Sequence, residues 1–94
     1  MFRATKSSDG SLVARLERAR RSGYAYGDRE AKVMLLAHAG FDQRQAVGWL
    51  NTKMQEGRAN LIAQRATERE IEAWDLSCRI MFMVRISASK TWRK

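Results

Sequence analysis

Few side chains in this 94-residue chain can make or break a bond: one histidine, one cysteine and ten carboxylates. His38 lies among apolar residues of a helical segment and reads as a packed side chain rather than a base or a ligand. Cys78 has apolar neighbours and no histidine close in sequence, which makes its thiol a core group rather than a nucleophile. A single cysteine allows no internal disulfide, and a reducing cytoplasm fits that usage. Asp28, Asp42, Glu68 and Glu70 stand at helix starts, where capping accounts for them, and Glu17 and Glu30 stand on helix surfaces. No Cys/His cluster has metal-site spacing, and no glycine-rich phosphate loop is present. The expectation is a protein that is not an enzyme and needs no cofactor or metal.

Charge points to a different chemistry. Eighteen Lys and Arg against ten Asp and Glu give a net charge of +8 and a pI near 10.6. A polyanion is the first partner to consider, whether DNA, RNA or an anionic membrane surface; a chain that is simply basic is the alternative. Gln43, Arg44 and Gln45 make an exposed polar first turn of a helix. Arg29, Lys32, Lys53 and Arg58 are candidates for phosphate contact, as is the helical face Arg15, Arg18 and Arg21. Such contacts set register on a nucleic acid without reading its sequence. A solvated helix surface is the competing account of that arginine face.

The elements that must hold these residues read as helices. Length allows one domain with a modest core: a polar arm over 1–10, a helical body over 11–86 and a basic tail over 87–94. Leu12, Val13, Leu16 and Ala19 repeat at helical spacing, so 11–22 is a helix with Gly23 as its stop and 24–27 a connector. Asp28 then caps a second helix, and Ala31, Val33, Met34, Leu35, Leu36 and Ala37 make it mostly buried. Gly40 ends it. Asp42 with Gln45 forms a capping box for a third helix, whose stripe is Ala46, Val47, Trp49, Leu50 and Met54 and whose stop is Gly57. Residues 60–65 form a helical turn or a short strand. Thr67 and Glu70 form another capping box ahead of a helix that is apolar on more than one face. That helix is the centre of a monomer core or a dimer interface through Ile71, Trp74, Cys78 and Met81. A strand over 79–87 is the rival, and the upstream cap favours helix.

The predicted fold class is all-α, a bundle of about four helices with a helix-turn-helix unit at 28–57. No apolar run approaches the roughly 20 residues needed to span a bilayer, and the first ten residues contain no apolar leader core.

The stretch AGFDQRQAVGWLN, 39–51, resembles the helix-turn-helix of lactose-repressor-type DNA-binding proteins. Gly40 stands in the turn, the apolar Phe41 follows it, and Ala46 and Trp49 recur six and nine places on; Leu36 stands where that family prefers Ala. The resemblance implies a recognition helix with Gln43, Arg44 and Gln45 in the major groove and Gly48 and Asn51 near the backbone. Its implied function is a small transcriptional regulator or DNA-processing accessory factor, dimeric and cytoplasmic or nucleoid-associated. Gly40, Phe41 and Leu50 also resemble the first loop and second helix of ubiquitin-associated domains, which implies a protein-binding module. An inhibitor or adaptor docking on an acidic partner, and RNA binding through the helix from Arg15 to Arg21, are the further alternatives.

Overall fold

The computed structural model describes the backbone of residues 5–38 and 40–88 and the side chains from Leu12 onward. The class is all-α, with three helices among the described residues and no strand: α1 (Thr5–Ala37), α2 (Gln43–Ala63) and α3 (Glu68–Ala88). Two of the expected boundaries hold. Asp42 caps α2, accepting from Gln45 N at 2.9 Å while the Gln45 side chain accepts from Asp42 N at 2.9 Å. Glu70 N donates to Thr67 Oγ1 at 3.2 Å and Thr67 N donates back to Glu70 Oε1 at 2.7 Å. Residues 79–87 are helical, as the upstream cap implied.

The expected count of four helices is corrected to three, because the stops predicted at Gly23 and Gly57 lie inside helices. A single α1 begins at Thr5, within the stretch read as a polar arm, and runs through the connector of Tyr24, Ala25 and Tyr26. Asp28 is therefore not an N-cap; it sits in mid-helix. Three unbroken helices persist because α3 lies against the backbone of α1. A Cβ placed on Gly23 would meet Ser77 Cβ at 2.9 Å, and one on Gly27 would meet the Cys78 carbonyl carbon at 3.1 Å. Each glycine costs roughly 1 kcal/mol of helix propensity against Ala, and close packing of two helices offsets it. Ala19, Gly23, Gly27 and Ala31 recur every fourth residue and are all buried. Opposite them, Glu70, Trp74, Cys78, Phe82 and Ile86 recur every fourth residue of α3 and are also buried. Facing i±4 rows of this kind interlock as ridges and grooves.

The partners along this seam rise together: Arg15 meets Glu70, Gly23 meets Trp74, Gly27 meets Cys78, and Asp28 meets Arg85. The two helices are parallel, and α2 runs back between their ends. Tyr26 Oη donates to the Lys53 carbonyl at 2.6 Å, and Arg58 pairs with Asp75 at 2.8 Å. The Trp74 indole closes the centre. Its ring lies so near Gly57 that a Cβ there would stand 2.6 Å from Cζ2, and its centroid is 5.0 Å from that of Tyr26. Met34, Leu50, Met54, Phe82 and Ile86 complete the core, each contributing about 1.5–3 kcal/mol over an exposed position.

The end of α2 is made by residues that a search for glycine overlooks. Ala66 N donates to the Leu61 carbonyl at 2.9 Å and Arg65 N to the Ile62 carbonyl at 2.9 Å. These are the two bonds of a Schellman cap, with Arg65 at φ 66° where glycine is the usual occupant. Residues 60–65 are thus the last turn of α2 and its cap, not a strand.

Candidate functional site

The corner between α1 and α2 carries the predicted reading residues. Phe41 N donates to the His38 carbonyl at 3.0 Å, closing the turn. His38 is exposed rather than packed inside; its ring stacks on Phe41 at 4.5 Å and meets Trp49 edge-on at 6.3 Å. Val33, Leu36 and Ala37 are exposed too, with Leu36 at 88 %, so the end of α1 is not mostly buried as its apolar content implied. Ala31 and Met34 line the buried face there instead.

The two helices leave this corner side by side. Tyr26 lies about 18 Å back along α1 from His38, and Lys53 about 16 Å along α2 from Asp42, at 1.5 Å per residue. Helices diverging near a right angle, as in a helix-turn-helix, would be about 24 Å apart there, beyond the reach of a tyrosine. The Tyr26 hydrogen bond to Lys53 therefore fixes an αα-hairpin. Burial pushes the Tyr26 hydroxyl up to about 12, with the nearby Glu30 and Glu56 carboxylates adding to it.

Of the reading residues, Gln43 and Arg44 stand exposed on the first turn of α2. Gln45 does not stand free, because its side chain closes the cap with Asp42. Gly48 is exposed with nothing near its Cα hydrogens, and Asn51 is half-buried. Leu50 belongs to the core at 2 % exposure, which removes it from any ubiquitin-facing surface.

The phosphate candidates divide by what already neutralises them. Arg15 pairs with Glu70 at 2.7 Å, Arg58 with Asp75 at 2.8 Å and Lys32 with Asp28 at 3.4 Å. Arg20 lies 3.6 Å from Glu17, so the arginine face of α1 keeps only Arg18 and Arg21 without an ion pair among the described residues. Arg29 and Lys53 each stand 5.4 Å from an aromatic centroid, that of Tyr26 and of Trp49, and make no ion pair among the described residues. Two cations outside the prediction join them: Arg65 in the cap of α2 and Arg69 on the first turn of α3, both exposed. No local pattern marks Arg65, because its position follows from where α2 ends. A pocket of about 260 Å³ between α1, the end of α2 and the start of α3 has Arg15, Arg18, Ser22 and Gln64 in its wall.

The carboxylates of the paired groups respond accordingly. The backbone hydrogen bond from Thr67 holds Glu70 below the usual carboxylate range against the effect of burial, and Arg15 adds to it. Burial works to raise Asp28, yet Arg85 and Lys32 hold it low. Burial pushes the Cys78 thiol up to about 12, with Asp75 adding to it, which leaves it inert.

The dimer surface expected through Ile71, Trp74, Cys78 and Met81 is corrected. Trp74 and Cys78 are buried inside the single chain at 2 and 0 %, and Ile71 and Met81 are half-buried. The apolar residues that α3 leaves exposed are Leu76, Ile80 and Val84. Among the described residues no group of three or more His, Cys, Asp or Glu is placed to hold a metal, and no helix is long and apolar enough to cross a membrane. The tail residues 89–94, with Lys90, Trp92, Arg93 and Lys94, lie outside the described residues. No family model matches the chain, and neither the curated proteins nor the solved structures give a match.

Proposed function

We propose that this protein binds nucleic acid, DNA in preference to RNA, as a small regulator or DNA-processing accessory factor that acts as a homodimer. One observation carries the reading: Arg18, Arg21, Arg29, Arg44, Lys53 and Arg65 on α1, α2 and its cap are without a carboxylate partner among the described residues. Of the paired cations, Arg15, Arg58, Arg79 and Arg85 pair with or from α3, whereas Arg20 and Lys32 pair within α1. An unneutralised cation is available to displace the counterions of a phosphate backbone. The charged heads of Arg29 and Lys53 lie over the rings of Tyr26 and Trp49, a cation–π contact that leaves their charge unneutralised. Arg18, Ser22 and Gln64 would supply donors to a phosphate entering the pocket they line. In this reading Arg44 and Gln43 meet base edges, which requires the open major groove of DNA, since duplex RNA hides its own.

Fluorescence anisotropy on random duplex DNA across a salt series tests this. Binding should weaken steeply with salt, and Arg18→Ala, Arg29→Ala and Lys53→Ala should each reduce the slope by about one phosphate. Arg58→Ala should leave the slope unchanged, because that side chain is held by Asp75. On a selected site, Arg44→Ala should cost about 1–3 kcal/mol and relax sequence preference, while random duplex is bound as before. A chain of this charge that fails to bind at low salt has no nucleic-acid role.

A further inference from the structure

The flank of the molecule where α1 and α3 meet solvent has a separate chemistry. Leu76, Ile80 and Val84 are spaced by four on α3 and are 61, 44 and 54 % exposed. Beside this ridge the two helices leave a groove of about 340 Å³, walled by Leu16, Tyr24, Ala73, Leu76 and Ile80. A second hollow of about 280 Å³ shares Leu16 and Arg69 with the first and carries the groove on to Leu12 and Thr67. From Thr67 to Ile80 the groove follows about 20 Å of helix. Single exposed leucines need no account, but a ridge beside a contiguous apolar groove marks an interaction surface.

The charges around it select the occupant. Arg20 and Arg69 face the groove, and so do Glu68 and Glu72, so the rim is mixed and a uniformly acidic partner gains nothing local. Along α3 the signs are unevenly distributed: Glu68, Glu70, Glu72 and Asp75 outnumber Arg69 in the first half, and Arg79 and Arg85 stand in the second. A helix ordered in that way complements itself when reversed. A ridge and a groove on one surface are likewise what a two-fold contact uses twice.

We infer that this face binds a second copy of the chain, α3 against α3 in antiparallel orientation, with Leu76 and Ile80 of each copy entering the groove of the other. Glu72 of each copy then approaches Arg79 of the second. The inference deepens the homodimer part of the proposed function and is independent of nucleic-acid binding. The +8 charge on each copy opposes the association, so added salt strengthens it while weakening any grip on phosphate.

Sedimentation velocity of the full chain over a range of concentration and salt reads this directly. The wild type should pass from monomer to dimer as either rises. The double variant Leu76→Glu with Ile80→Glu should stay monomeric with unchanged helicity and melting, because both positions are exposed. Leu36→Glu, an equally exposed leucine off this face, should dimerise like the wild type. Glu72→Arg and Arg79→Glu should each weaken the dimer at least tenfold, and the two together should recover it. A wild type that is monomeric throughout overturns the inference, as does a dimer indifferent to the Leu76/Ile80 pair. The Leu76/Ile80 monomer that still binds random duplex, or a dimer that binds none, tells the failure of one reading from that of the other.

Discussion

The helix α1 has two neighbours and meets them in opposite ways. Toward α3 it presents a row of small residues, Ala19, Gly23, Gly27 and Ala31, and lets the second backbone approach until a methyl group has no room. Ion pairs fasten the two ends, Arg15 to Glu70 and Arg85 to Asp28. Toward α2 it presents side chains instead: Tyr26 reaches across to the Lys53 carbonyl, and His38 stacks on Phe41 beside Trp49. The first seam joins charges across its two ends, and the second leaves Arg18, Arg29 and Lys53 without an ion pair among the described residues. The seam with the closest backbone approach and the seam that leaves cations unpaired among the described residues are thus separated along a single helix.

The contrast can be broken most completely at Trp74, which belongs to both seams through its backbone against Gly23 and its ring on Gly57. Trp74→Ala should cost about 3–5 kcal/mol in chemical unfolding, a large share of the stability of a domain of this size. Gly27→Ala attacks the α3 seam alone. Propensity favours alanine, yet the methyl group meets the Cys78 backbone, so the net should be a loss of about 1–3 kcal/mol. Gly48→Ala has open space around it and should instead gain up to about 1 kcal/mol. The opposite signs of two identical substitutions are the sharpest check on the seam. Tyr26→Phe removes one hydrogen bond from the α2 seam and should cost about 0.5–1.5 kcal/mol in the same assay, leaving α1 and α3 joined.

The smallest effect is the pH dependence of the fastenings. Asp28 and Glu70 have folded values held below the usual carboxylate range. Each therefore contributes stability that is fully present above the unfolded value, near 4, and is lost as pH falls through the depressed folded value. Melting curves recorded below about pH 4 should fall less steeply for Asp28→Asn than for the wild type, by a modest margin, because Asp28 and Arg85 are partly exposed.

What was legible in the chain was local. The caps at Asp42 with Gln45 and at Thr67 with Glu70 need only residues three apart, and both are present. The helix over 79–87 followed from the second of them. Gly23 and Gly57 read as stops, and Gly27 as part of a connector, because glycine breaks helices when nothing else acts on it. What overrides that tendency on α1 is the α3 chain some fifty residues away, which no window on α1 contains, and on α2 it is the Trp74 ring against Gly57. The small-residue repeat at 19, 23, 27 and 31 was visible as spacing, but weighing hydrophobicity alone passes over alanine and glycine and favours Val33 and Leu36, which face solvent. At the candidate site, residue type identified the cations but could not sort them. Arg58 and Lys53 differ only in that Asp75 stands beside one of them in space.

The parallel course of α1 and α3 also sets an order of events during synthesis. Arg15 and Glu70 are 55 residues apart and Asp28 and Arg85 are 57 apart, so no partner for the small-residue row exists until α3 has been made. The αα-hairpin of α1 and α2 is synthesised before α3. Docking of α3 is therefore the step that forms the contacts of longest sequence separation. A ribosome-bound chain halted before residue 68 would therefore display the glycine row of α1 bare, open to any helix or chaperone that reaches it before α3 does.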